Sequence, residues 1–140
     1  LAAARLLDKG IPEPPPDNDA GEDFWTPTIA SDGWLEGPAA RRWAVLAHAW
    51  LELDRFPWMI GLRDVNDKPL AALSAELRTA HAVPDRRAIL AVTAEFPPGT
   101  AITAADVARV LSWRMPRRRR HFRIEAVERT LSEAAALGVV

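Results

Sequence analysis

Hydrophobic positions recur with a helical period through most of this chain, and polar, proline-containing stretches divide the repeats into segments. Leu6 and Leu7 followed by Gly10 predict the last turns of a helix over residues 1–9, closed by a glycine cap. Phe24-Trp25-Thr26-Pro27-Thr28 is short, aromatic and β-prone, and predicts a strand. Pro38, at a first-turn position, opens a helix to about residue 53. Its apolar face carries Trp43, Leu46, Ala47, Trp50, Leu51 and Leu53, while Arg41, Arg42, His48 and Glu52 lie mostly elsewhere. Asp64-Val65-Asn66-Asp67 signals a turn, and Leu70, Leu73 and Leu77 predict a short helix over 70–78. Pro84 and Asp85 start a helix to about Phe96, with Ile89, Leu90, Val92 and Phe96 apolar, which Pro97-Pro98-Gly99 ends.

The last forty residues or so hold the pattern that organises the rest. Thr100-Ala101-Ile102 predicts a one-rung strand, and Thr103 is the N-cap of a helix with Val107, Val110 and Leu111 at helical spacing. Pro116 stops that helix, because it lacks an amide hydrogen and pushes Met115 out of the α region. A longer helix is predicted over 118–137, with Ile124, Val127, Leu131, Ala134 and Ala135 on one stripe and Gly138 as its left-handed terminus. Helix, extended piece, helix, turn, longer helix is the order of a winged helix-turn-helix module, with 118–137 as its recognition helix.

Such a module ends with a helix, a hairpin-like loop and a strand, which is also the order predicted for the first part of the chain. The loop over 12–23 holds four prolines and five acidic residues and is read as exposed. The same helix, glycine and apolar order returns at Leu137-Gly138-Val139-Val140. The expected fold is therefore mainly α: a helical bundle with winged helix-turn-helix character and short β-strands, tandem and winged-helix-like. A Trp-rich helical unit with a partial wing at its start is expected over 1–81, and a winged-helix-like unit, cut off before its wing, over 82–140.

Five of the six tryptophans lie between positions 25 and 58. A cluster of that kind supplies a large apolar area and reads first as core; the alternative is an aromatic patch that docks a neighbouring domain or stacks on bases. Composition places the chain among globular proteins, with 49% hydrophobic and 26% charged residues in 140. No uninterrupted apolar run approaches the roughly 18 to 20 residues a membrane span needs. The absence of cysteine removes disulfides, thiolate catalysis and thiolate zinc sites, and agrees with a cytoplasmic setting. Leu1 opens the chain inside a predicted helix without a methionine, so the sequence reads as a piece of a longer protein.

Charge changes the picture more. The net −1 conceals an asymmetry: residues 1–70 hold 7 basic and 12 acidic side chains, net −5, whereas residues 71–140 hold 11 and 7, net +4. An anionic partner is steered to the second half. Within it, Arg114-Met115-Pro116-Arg117-Arg118-Arg119-Arg120-His121-Phe122-Arg123 gathers six arginines and a histidine at the predicted helix-turn-helix turn with no acid between them. Cations at a helix N-terminus oppose the helix dipole by roughly 0.3–1 kcal/mol per exposed charge, and a bound phosphate turns that liability into a site. Guanidinium forks match phosphate oxygens. The competing reading is solvation, since arginine is this chain's usual cation, 16 against Lys9 and Lys68. Glu125, Glu128 and Glu133 share the exposed side of the last helix, and Glu125 is placed to pair with Arg129, so deep entry into a groove is disfavoured and phosphate contact is expected with little base readout.

Catalytic signatures are missing. No glycine-rich phosphate loop, paired zinc-ligand motif or nucleophile elbow occurs. His48 and Glu52 are one helical turn apart but lack a third metal ligand, and His81 and His121 stand alone, solvated or beside a phosphate. The acids show no buried, opposed pair. Neither an enzyme nor a cofactor is expected.

Phe24-Trp25-Thr26-Pro27-Thr28, Trp34-Leu35, and the run Arg41-Arg42-Trp43-Ala44-Val45-Leu46-Ala47-His48-Ala49-Trp50-Leu51 carry a resemblance that continues through residues 70–77, Phe96-Pro97-Pro98-Gly99-Thr100, Trp113-Arg114-Met115-Pro116-Arg117 and residues 134–139. These resemble the actinobacterial helicase-associated proteins whose shared part is similar to the N-terminal domain of XPB-type DNA repair helicases. The resemblance implies a mostly helical fold with winged-helix character and a role around DNA repair or unwinding. It carries over no functional residues, and without motor motifs it implies no ATP hydrolysis.

The function expected from the sequence is a non-enzymatic, helicase-associated DNA-binding module, arginine-rich and nucleoid-associated, that holds duplex DNA with weak sequence preference through Arg114, Arg117, Arg118, Arg119, Arg120 and Arg123. A helicase or flanking domains of the same chain are further expected partners; a membrane is not. The rival is an interaction scaffold in which the Trp-rich half binds a protein partner or flanking domain and the arginines only solvate.

Overall fold

A computed structural model describes residues 1–15 and 24–140. It is mainly helical, with one small two-stranded antiparallel sheet among those residues. No helix among them is long and apolar enough to cross a membrane. The chain divides into two compact units, Leu1–Trp50 and Leu51–Val140, so residues 51–81 group with the second half and the division falls earlier than the expected 81–82.

In the first unit the opening segment is not the end of a helix. A single 3-10 turn, Ala2–Ala4, stops at Arg5, which takes a left-handed backbone (φ 56°). Strand β1 (Leu7–Gly10) then pairs antiparallel with β2 (Phe24–Pro27), Leu7 opposite Pro27 and Gly10 opposite Phe24. A β-prone aromatic segment needs an edge to pair with, and 7–10 supplies it; tertiary pairing overrides a weak local helix preference. Gly10 is therefore a strand residue. The expected strand at 24–28 is present, whereas residues 16–23 of the expected loop lie outside the described residues.

The sheet is stitched to the chain just after β2. The Thr28 amide donates to Leu6 O (3.1 Å), its hydroxyl donates to Arg5 O (2.8 Å), and the Ser31 hydroxyl donates to Leu6 O. Helix α1 (Ile29–Glu36), which the pattern did not predict because Gly33 sits in its middle, runs from there. Helix α2 (Ala39–Leu51) matches the expected one. The Trp34 indole donates to Arg42 O (3.0 Å), tying α1 to α2. The tryptophans do not form one core: Trp50 is buried, but Trp25 and Trp43 are exposed.

In the second unit, residues 55–78 are held by lateral backbone bonds. Gly61 N–H donates to Leu70 O (2.9 Å), Leu70 N–H donates to Leu62 O (2.8 Å), and Arg55 bridges Arg78. Amides engaged sideways are lost to a helix, so the helix expected over 70–78 shrinks to a 3-10 turn, Ala75–Leu77, with Leu77 buried. The turn expected at 64–67 forms, Asp64 Oδ1 accepting from the amides of Asn66 and Lys68 at 2.8 Å each.

Helices α3 (Ala82–Ala94), α4 (Ala104–Arg114) and α5 (Ile124–Ala136) enclose the main core: Ile89, Val92, Val107, Ala108, Leu111, Phe122 and Val127. Residues 100–102 form no strand among the described residues. Thr103 caps α4 as expected, within a capping box whose other member is Asp106. Gly138 (φ 67°) ends α5 with the two bonds of a Schellman motif, Val139 N–H to Ala134 O and Gly138 N–H to Ala135 O.

The single helix expected over 118–137 is divided. A 3-10 helix, Pro116–His121, precedes α5, and Phe122 and Arg123 break the spiral between them. The core explains the break. On a continuous α-helix, Phe122 and Val127 would point about 140° apart, yet both are buried in the same cluster. An interrupted backbone lets both reach it.

Candidate functional site

The site is built upward from Pro116. With no amide hydrogen to donate, it ends α4 at Arg114 and starts the tighter 3-10 spiral. In such a spiral, side chains three residues apart eclipse one another. Arg118 and His121 therefore share one side, and Arg117 and Arg120 share another.

The inward side meets Asp85, on the first turn of α3 and only 3% exposed. Arg118 Nη2 donates to Asp85 Oδ1, and His121 Nδ1 lies 3.2 Å from Asp85 Oδ2. A carboxylate only accepts, so His121 carries its hydrogen on Nδ1. The Arg118 guanidinium also lies over the Phe122 ring, 5.8 Å from its centre. The His81 and His121 rings sit 4.5 Å apart. The histidines expected to stand alone are thus partnered, and the contact lies against an acid of the same unit.

The neighbouring residue, Arg86, is fully buried and does a second structural job. Its Nη1 donates to Leu53 O (3.0 Å) and Leu51 O (3.3 Å), and its Nη2 donates to Arg55 O (2.8 Å). These carbonyls are left over where α2 gives way to irregular chain, and a cation satisfies such groups well. Burial lowers the pKa of Arg86 from its ordinary value, while Glu133 and Glu52 pull it the other way. Asp85-Arg86 thus locks the arginine turn with one side chain and residues 51–55 with the next.

Arg114 is engaged as well. Its guanidinium meets Glu95 in a two-pronged pair, Nη1 to Oε1 at 2.5 Å and Nη2 to Oε2 at 2.7 Å. The pairing holds Glu95 below the usual carboxylate range and raises Arg114. Both groups are open to solvent, so salt screens the pair.

Of the six arginines singled out by sequence, Arg114 and Arg118 are held by acids, while Arg117, Arg119, Arg120 and Arg123 are exposed and make no ion pair among the described residues. Arg117 and Arg120 stand one 3-10 turn apart, roughly 6 Å along the axis. Arg123 occupies the N-cap position of α5. Glu125 and Glu128 are exposed on α5, and no ion pair joins Glu125 to Arg129 among the described residues. What this arrangement offers chemically is four solvated guanidinium groups on a turn fixed from behind, a surface for phosphate-sized anions.

Beside it stands Trp113, on the last turn of α4 and 83% exposed. Sequence reasoning gave it no role, although a signal was there: it lies about 200° around the helix from the core residue Leu111. Glu52, one helical turn from His48, pairs with Arg87. No group of three His, Cys, Asp or Glu able to hold a metal occurs among the described residues. Comparison of the chain with protein-family models, curated proteins and solved structures finds no match.

Proposed function

We propose that this chain is a non-enzymatic DNA-binding module that grips the phosphate backbone through Arg117, Arg119, Arg120 and Arg123. One observation carries the reading: four guanidinium groups make no ion pair among the described residues, on a turn whose inward side is pinned by Asp85. A rigid mount lowers the ordering cost of each contact. The solvation reading of the arginines calls for no such anchoring. Arg114 and Arg118 serve to hold the turn rather than to meet phosphate.

The winged helix-turn-helix assignment belongs to the same proposal. The order α3, α4, arginine turn, α5 supports it, and the antiparallel pair of β1 and β2 fits the wing of a preceding, tandem module. The acids on α5 keep that helix out of a groove, so sequence preference is weak. A helicase-associated role in DNA repair is the setting suggested by the Trp, Pro and Arg motifs.

Binding to labelled duplex DNA across a range of salt tests the proposal. With four phosphates engaged, log affinity falls with log salt at a slope near −3.6. Changing Arg117, Arg119, Arg120 and Arg123 together to Ala abolishes most of the affinity; equal binding by that variant and the wild type would sink the proposal. The exposure of Trp43 on α2 favours a second reading, docking of a protein partner or flanking domain on the Trp-rich half. Undiminished partner binding after Trp43→Ala counts against it.

A further inference from the structure

Trp113 adds to the site something its cations lack. The buried residues of α4, Val107, Ala108 and Leu111, face the core, which closes without the indole. Arg109, one helical turn earlier and exposed, shares the outer side with Trp113. The arginine turn begins three residues later, at Pro116. No hydrogen bond or ring contact among the described residues engages Trp113. A large, flat π face with no such partner among the described residues therefore lies three residues ahead of the turn that carries the unpaired guanidinium groups.

Those two chemistries together match a strand whose phosphates and base faces are both available. In a duplex the bases are stacked on one another, and only their edges face the grooves. In a single strand the base faces are free, and aromatic side chains beside a basic track stack on them without regard to sequence. We infer that the arginine turn and Trp113 together bind DNA carrying an unpaired segment, with Trp113 stacking on one base and the arginines holding the adjoining phosphates. This rests on the phosphate-binding reading above and adds the form of the DNA to it.

The test compares a single strand with a blunt duplex of equal length, both labelled, for the wild type, Trp113→Ala, Trp113→Phe and the four-arginine Ala variant. Because Trp113 is exposed, urea melts of its variants should overlay the wild type and confirm that the fold is intact. Trp113→Ala is expected to weaken single-strand binding by between about fivefold and about a hundredfold, the range for one stacked base. Trp113→Phe should recover much of the loss. Duplex affinity and the salt slope should stay unchanged in both. If Trp113→Ala leaves single-strand affinity unaltered, or weakens both forms equally, the stacking role is overturned while arginine-dependent binding still stands. If the four-arginine variant binds both forms like wild type, it is the phosphate reading that fails.

Discussion

Asp85 and Arg118 form an ion pair across 33 positions of sequence, with the carboxylate almost completely buried and the guanidinium covering it from the arginine turn. His121 closes on the other carboxylate oxygen. One acid thus shapes a turn that otherwise carries only positive charge, where mutual repulsion favours a spread-out chain.

Asp85→Ala removes the acceptor of two donors and leaves Arg118 partly buried beside Phe122. A loss of about 2 kcal/mol in urea unfolding is expected, less than for a fully buried pair because Arg118 keeps some access to water. Asp85→Asn should fall between, keeping the shape but not the charge. A change under a few tenths of a kcal/mol would show that the pair does not hold the turn.

Arg86→Ala strands three part-buried carbonyls and opens a cavity where the buried side chain stood, and should cost about 3 kcal/mol, enough to weaken a small unit severely. Arg86→Lys keeps the charge but not the fork, so partial recovery is expected. Calorimetry on the two variants separates the geometric from the electrostatic contribution.

The arginines divide by role, and single substitutions should reveal it. Arg117→Ala or Arg120→Ala lowers the salt slope of DNA binding by about 0.9 with little change in melting temperature. Arg118→Ala does the opposite, lowering stability while leaving the slope in place. A uniform effect across the three would erase the distinction between anchor and contact.

Acid should loosen α4. Asp106 is held below its ordinary 3.8, first by the Thr103 hydroxyl and then by the Thr103 amide, with Arg109 adding to both, and Glu95 is held below its ordinary 4.5 by Arg114. Both carboxyls have a lower pKa in the folded than in the unfolded chain. Their contribution is therefore complete above the unfolded values and is lost as pH falls through the folded ones. Melting temperature should hold from neutrality to the ordinary carboxylate range and decline below it, and Thr103→Ala should reduce that decline. Carboxyl shifts followed by NMR should give titration midpoints for Asp106 and Glu95 below 3.8 and 4.5, respectively.

Gly138 takes φ 67°, a conformation that L side chains rarely adopt. Gly138→Ala should destabilise the second unit by about 1 kcal/mol in urea. No loss would mean that the end of α5 frays without consequence.

Features that the residues alone made legible are short in reach. Thr103 meets Asp106 three residues away, Asp64 meets Lys68 four away, Pro116 stops the helix that precedes it, and Gly138 closes α5. A cap, a turn or a stop is decided by backbone chemistry within one turn, so it can be read without the rest of the chain. The concentration of arginine at 114–123 is of the same kind. Which of those arginines are free was not readable there, because the acids that claim Arg114 and Arg118 lie 19 and 33 positions back. The opening strand, the break at Phe122 and the burial of Arg86 were likewise set by distant partners: β2, the shared core, and the carbonyls beyond α2. Local preferences are worth a fraction of a kcal/mol per residue, while a paired edge, a buried aromatic or a satisfied buried cation is worth several times that, so wherever the two disagreed the long-range contact decided.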